Sequence, residues 1–400
     1  MVNTVGYAYP WDFDGDPAAG PRARDLGVNA VALAAAYHST RVPTPVHPTS
    51  RLVTAPHAAS YLPVRAAKWT GGLRPLDAEW LPEGAWAAAA KDVRAAGMKV
   101  LAWTVFTHTS VLGRANEDLV VRNAFGEPYT YALCPSAEAV SDYCVTLASE
   151  VVETAEPDGI ILEACGRLGV DHGGHHDKVD FAYWTAVQKQ LLSLCFCTAC
   201  HQLYAAAGID GVRLAALVRA AVGAEAPATV ADALSPDLAD AVTKVVAETA
   251  TTLRQRVVAA ARATRPDLRV TFHGAVDPLA TGAFTALGTP PSELDSVVTS
   301  CWVGGVRAVD QLQQMSAYIG RDVAVGGYFR PDTLRSPEGP SLDDLAERYL
   351  AAGLSELHLY HLGLVPHPAL AVLREFVGTV LAKAAIAHPR PDSQIGGPQS

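Results

Sequence analysis

Glu163 closes the apolar run Asp158–Glu163 (DGIILE), so a carboxylate emerges directly from a stretch that reads as a buried strand. Partial desolvation at such a boundary raises a carboxyl pKa and suits it to general acid catalysis. The following segment, GVDHGGHHDK, holds Asp171, His172, His175, His176 and Asp177. Neutral imidazoles and carboxylates suit several divalent metals, and the same groups can hold substrate hydroxyls. His172 and His176 are four apart, but the glycines between them disfavour a helical zinc pair of the H-E-x-x-H kind. Cys195, Cys197 and Cys200 form C-x-C-x-x-C, followed by His201. Three thiolates at this spacing can take three corners of a tetrahedral structural zinc site, with the fourth from Cys134, Cys165 or His201. Buried free thiols are the other reading of the cluster.

The elements that must position these groups are legible as eight apolar runs alternating with helical patterns. The runs are Thr4–Pro10, Val28–His38, Met98–His108, Asp158–Glu163, Arg269–Ala275, Ser296–Val303, Val323–Arg330 and Leu357–Val365. Near-continuous apolarity is the mark of strands covered on both faces by helices. Helical patterns cover Trp86–Ala96, Pro135–Ala155, Asp237–Thr264, Gln311–Ile319, Leu342–Ala352 and His367–Ala385. Gly97 and Gly353 follow two of them as stop signals. Eight strand signals alternating with helices predict an α/β fold, a single (β/α)8 TIM barrel. An open doubly wound sheet would need a glycine fingerprint after its first strand, and Gly6 stands alone. Long insertions are expected after strand two (Ser39–Pro82) and after strand four (Cys165–Gly223). The barrel is expected to span 1–385, and the Pro/Gly/Ser-rich tail 386–400 to be disordered.

Barrel chemistry sits at the C-terminal strand ends. Those positions offer Tyr7, Trp11 and Asp12, then His38, then Trp103 and His108, then His273, Trp302, Tyr328 and Arg330, and finally Tyr360 and His361. Together with His172, His175 and His176 they form the expected substrate-binding set. Aromatic faces stack on the C–H faces of sugars, while His, Asp and Arg hydrogen-bond hydroxyls. An apolar pocket with a few convergent polar groups is the usual small-molecule site. Glycoside hydrolysis generally needs a second carboxyl group. Asp12, Asp14, Asp171, Asp177 and Asp277 are available, and Asp171 or Asp177 is the expected partner of Glu163.

Composition narrows the function further. The 400 residues carry a net charge of −10, with 50% hydrophobic and 18% charged residues. Disorder is excluded by that hydrophobicity, and nucleic acid is not an expected partner of an acidic surface. A neutral or cationic small molecule or oligosaccharide fits the charge better than a phosphorylated one. No apolar run reaches the roughly 18 residues of a membrane span. The N-terminal stretch lacks the features of a signal peptide. Seven cysteines, an odd number, point to reduced thiols and a cytoplasmic setting. No organic cofactor is expected, and homo-oligomerisation is left open.

The order of strand four ending in Glu163, then C-x-C-x-x-C, then a further helix resembles (β/α)8 glycoside hydrolases. It is most similar to family 42 β-galactosidases. The phrases LCPS and DGIILE also resemble uncharacterised bacterial glycosidase-like barrels. The resemblance covers about Leu133–Asp210 and implies that Glu163 is the acid/base and that Cys134 completes a zinc site with Cys195, Cys197 and Cys200. Two departures stand out. Leu162 replaces the family's Asn before the strand-four Glu, and strand seven ends in Tyr328-Phe329-Arg330 instead of a nucleophilic Glu. The expected function is therefore that of a glycoside hydrolase-like enzyme. A metal-dependent sugar isomerase, epimerase or lyase, and a non-catalytic carbohydrate-binding barrel, are the alternatives.

Overall fold

The computed structural model describes residues 2–171, 174, 177–223, 226–335 and 339–387. Its centre is a parallel barrel of β1 (Asn3–Ala8), β2 (Ala30–Tyr37), β3 (Lys99–Val105), β4 (Gly159–Glu163), β5 (Arg269–Ala275), β6 (Ser296–Ser300), β7 (Ala324–Phe329) and β8 (Leu354–Leu359). Each strand pairs in parallel with the next, and β8 pairs with β1, which closes the sheet. The (β/α)8 expectation is thus realised.

The strands are buried along almost their whole length. Barrel-filling side chains cover one face and the outer helices cover the other. That double cover is why the runs read as continuous apolar stretches rather than alternating ones.

The outer layer comprises α1 (Ala19–Asp25), α2 (Ala85–Ala95), α3 (Glu138–Ala155), α4 (Pro236–Thr264), α5 (Gly305–Ile319), α6 (Leu342–Ala351) and α7 (His367–Ala387). Gly97, with φ of +77°, lets the chain turn from α2 into β3 in a conformation costly for other residues. Pro236 opens α4, where its fixed φ and missing N–H cost nothing. No helix separates β5 from β6. That connection carries only Thr285–Ala286, a short strand paired with the end of β5. No helix among the described residues is long and apolar enough to cross a membrane.

Several boundaries differ from the sequence reading. The eighth strand begins at Leu354 rather than Leu357 and ends at Leu359, because Ser355 and Glu356 interrupt apolarity without interrupting the strand. The sixth stops at Ser300, and α5 begins at Gly305, six residues before the expected Gln311. Residues 106–137 form a further excursion between β3 and α3. It holds a helix, Ser110–Ala115, and the hairpin Val120–Arg122/Pro128–Leu133, whose short strands leave little periodic signal. After β2, Thr40–Pro43 pairs with Leu52–Ala55, and Ala59–Ser60 then pairs antiparallel with the end of β2.

Candidate active site

Glu163 is the last residue of β4 and is only 6% exposed. The Trp103 indole Nε1–H donates to its Oε2 at 2.7 Å. Nδ1 of His273 stands 3.3 Å from the same oxygen. Beneath the carboxylate, Tyr7, Trp103, His273 and Tyr328 form a layer of the barrel interior, one side chain from each odd-numbered strand. Tyr7 meets Trp103 edge-on at 4.9 Å and Tyr328 edge-on at 4.7 Å, and it also contacts His273. Alternation along strands that feed one barrel layer is what brings these distant residues together.

The layer continues downward as a polar chain. The Tyr7 hydroxyl lies 2.6 Å from Nε2 of His273 and 2.9 Å from Nδ1 of His358. Nε2 of His358 is 3.4 Å from Oε2 of Glu356. At the barrel base Glu356 is ion-paired with Arg269 and accepts hydrogen bonds from Ser296 and Asn3. Burial alone would raise the Glu356 carboxyl. The hydrogen bond and electrostatic pull of His358, the Arg269 charge and the Ser296 hydrogen bond outweigh it and hold the pKa at about 2. Burial lowers the His358 pKa, favouring its neutral form. Gly326 on β7 makes room for this imidazole, since a Cβ there would lie 3.1 Å from it. Glu356 and His358 escaped the sequence reading. The signal was the period-two polar pair Glu356 and His358, which places both on one face of β8.

The rim above is aromatic. His38 and His108 lie 4.4 Å apart in a tilted contact. Trp302 stacks on Tyr328 at 5.7 Å, and the Arg330 guanidinium covers Trp302 at 5.0 Å while pairing with Asp332. Tyr360 packs against both Trp302 and Tyr328. On the opposite side Tyr9 stacks on Trp11 at 4.4 Å and meets His361 at 4.6 Å, and Trp11 meets Tyr61 at 5.6 Å. Trp11 Nε1, the Tyr61 hydroxyl and His361 Nε2 are buried without a hydrogen-bond partner among the described residues. Buried polar atoms of this kind ordinarily have partners.

The expected substrate residues therefore fall into two groups. Trp11, His38, His108, Trp302, Arg330 and Tyr360 line or flank the mouth, and Tyr328 lies in the buried layer below them. Tyr7, Trp103, His273 and His361 are fully buried, and the first three lie beneath or beside Glu163 as its supports. Asp12 turns away from the mouth and caps its own turn, accepting the Tyr9 N–H at 2.8 Å. Burial raises its pKa to about 7. Asp277 accepts from Gln190, and Asp14 is exposed. Asp171 is paired with Lys189 at 3.0 Å and is half-exposed. Asp177 lines a cleft of about 730 Å³ beside the mouth, with Tyr129 and Tyr131 on one wall and Trp184 among the residues of the other. His172, His175 and His176 lie outside the described residues.

Cys134, Cys195, Cys197 and Cys200 converge, with all four sulfurs within 4.8 Å of one another. Cys134 Sγ is 3.7, 3.6 and 3.6 Å from the sulfurs of Cys195, Cys197 and Cys200. A tetrahedral zinc with bonds of about 2.3 Å places its sulfurs roughly 3.8 Å apart, so the donor set fits a tetrathiolate metal site. Cys134 completes the set. Cys165 and His201 do not join it. It is the sole group of three or more converging His, Cys, Asp or Glu ligand atoms among the described residues. The cluster ties the end of the 128–133 strand to the segment after Ala186–Leu192, and Tyr129 and Tyr131 of that strand and Leu192 of that helix line the cleft.

No family model matches the sequence, and no curated protein matches it. Solved structures do match in fold. An α-L-fucosidase isoenzyme 2 from Paenibacillus thiaminolyticus aligns over 97% of this chain and 51% of its own, at 15% identity and a TM-score of 0.54. The catalytic domain of a β-amylase from Paenibacillus polymyxa aligns over 95% and 98%, at 12% identity and a TM-score of 0.56. A GH42 β-galactosidase from G. stearothermophilus aligns over 97% and 57%, at 11% identity and a TM-score of 0.55. The chain thus spans about half the length of the fucosidase and of the β-galactosidase, and nearly all of the β-amylase domain. The likeness is one of fold, a (β/α)8 barrel shared with glycoside hydrolases.

Proposed function

We propose that the barrel mouth binds a neutral carbohydrate and hydrolyses a glycosidic bond, with Glu163 as general acid/base. The observation that carries this reading is the placement of one nearly buried carboxylate at the end of β4, gripped by Trp103 and ringed by aromatic side chains. Proton delivery to a glycosidic oxygen needs a carboxyl group held in place and shielded from water. The unpartnered Trp11 Nε1, Tyr61 hydroxyl and His361 Nε2 supply the donors and acceptors that sugar hydroxyls would engage. Asp177, which lines the cleft beside the mouth, is the proposed partner carboxylate. The cleft beside the mouth would take further units of an oligosaccharide. The four-cysteine cluster would hold structural zinc and so fix two cleft walls. Zinc there would supply cross-linking rather than chemistry.

One observation favours a second reading. β7 ends at Phe329 with no carboxylate at its end, which fits a barrel that binds sugar without cleaving it. Incubation with a panel of nitrophenyl glycosides tests turnover, and calorimetry with the same sugars tests binding. Release of nitrophenol supports the hydrolase. Heat of binding without release supports the second reading.

A further inference from the structure

A second cavity, of about 560 Å³, lies at the C-terminal ends of β7 and β8. It is lined by residues 330–332, which follow β7, and by residues from the stretch 360–372, which leads from β8 into α7. Seven of its eleven lining residues are Pro, Leu, Val or Ala, among them Pro331, Leu364, Val365, Pro366, Ala369 and Val372. Its charged side chains, Arg330 and Asp332, pair with each other. A charged ligand would therefore leave water there without gaining a free counter-charge.

This lining contrasts with that of the cleft beside the mouth. In that cleft Tyr129, Tyr131 and Trp184 offer flat faces, while Asn123, Glu127 and Asp177 offer hydrogen bonds. Such a mixture suits sugar rings. The cavity at β7 and β8 has the lining of a hydrocarbon site, and its volume falls within the roughly 300–1,000 Å³ usual for small molecules.

The cavity shares residues with the mouth. Tyr360 lines it and also packs against Trp302 and Tyr328, within electrostatic reach of Glu163. Arg330 lines it and also covers Trp302. His361 adds one polar group. It is fully buried and belongs to the same lining. The Gly363 N–H donates to its Nδ1 at 3.1 Å, so the one hydrogen of the neutral ring sits on Nε2. Burial lowers the His361 pKa to about 3, which keeps the ring neutral. Nε2 has no hydrogen-bond partner among the described residues. His361 thus keeps one donor for an oxygen beside an aliphatic lining.

We infer that this cavity is an aglycone site, and that the substrate is a glycoside of an apolar alcohol whose alkyl or aryl group packs against Leu364, Val365 and Val372. The inference rests on the reading of the mouth as a glycoside site and deepens it by naming the chemistry of the part that is not sugar. Hydrocarbon entering the cavity gains free energy in proportion to the apolar area it removes from water.

Calorimetry on the full chain tests this with methyl and octyl glycosides of glucose and galactose, in both anomers, below the micelle concentration of the octyl compounds. The octyl member of at least one pair should bind at least tenfold more tightly than its methyl partner, an advantage that about two buried methylene groups suffice to give. Val365→Asp places a charge in the lining, and Ala369→Trp fills the space. Each should remove the octyl advantage and leave the affinity for the methyl glycoside unchanged. Equal affinities for methyl and octyl glycosides in the wild type would overturn the inference, as would an octyl advantage that survives both substitutions. The wild-type comparison decides even if a variant fails to fold. If no glycoside binds, 1-octanol separates the two readings. Its binding to the wild type, lost in Val365→Asp, supports the apolar site and removes the sugar reading. Its failure to bind overturns the inference.

Discussion

Oε2 of Glu163 receives the Trp103 indole N–H at 2.7 Å and has Nδ1 of His273 at 3.3 Å. One oxygen of the mouth carboxylate is therefore held within the barrel, which leaves Oε1 free of these contacts to meet a ligand. The relationship joins strands three, four and five in a single grip. It also makes definite predictions.

Trp103→Phe keeps the aromatic packing and removes the indole donor. The Glu163 side chain then loses a buried hydrogen bond worth about 1–3 kcal/mol. Thermal unfolding should show that loss. On any glycoside the wild type cleaves, kcat should fall about tenfold, equivalent to about 1.4 kcal/mol of barrel-held positioning. A variant with unchanged kcat would show that Trp103 only packs.

The cysteine cluster should carry about one equivalent of zinc per chain, measurable by elemental analysis of the purified protein. Cys197→Ala or Cys200→Ala should remove it and lower the melting temperature. Glu163→Gln should leave it in place. Retention of metal in both cysteine variants would refute the tetrathiolate site.

Two carboxyl groups give opposite pH signatures. Asp12, raised by burial to about 7, keeps its proton in the folded state while the unfolded chain has lost it. Its effect is to reduce stability as pH rises from about 4 to 7. Glu356, held at about 2, contributes stability above pH 4.5 that disappears as pH falls towards 2. Denaturant titrations across pH should show Asp12→Asn flattening the first slope and Glu356→Gln flattening the second.

If the cleft beside the mouth takes distal sugar units, Trp184→Ala should raise KM for an oligosaccharide by about three- to tenfold, the worth of one aromatic contact. A one-sugar nitrophenyl glycoside should be unaffected. Equal effects on both would place Trp184 in the fold rather than in the site.

The barrel was readable in the sequence because strands covered on both sides leave continuous apolar runs, and DGIILE already put a carboxylate at its mouth. The spacing left the fourth ligand open among Cys134, Cys165 and His201, and the resemblance singled out Cys134, which is distant in sequence and arrives by way of the 128–133 strand. The polar chain was hidden for a different reason. Glu356 and His358 sit inside a strand, where charged and titratable residues are rare. They are tolerated there because each finds a partner from another strand, a pairing that only the closed barrel creates. For the same reason Tyr7 and His273 read as rim residues although they lie beneath it. Asp12 read as a mouth carboxylate, but its own Tyr9 N–H turns it aside.

The central claim is that Glu163 delivers the proton, and Glu163→Gln tests it most directly. Gln keeps the shape, and its side-chain oxygen can still accept from Trp103, so the fold and bound zinc should be retained. With an aryl glycoside the wild type cleaves, kcat should drop by about 10²–10⁴-fold while calorimetry still registers the sugar. Near wild-type turnover in a folded Glu163→Gln protein would contradict the account.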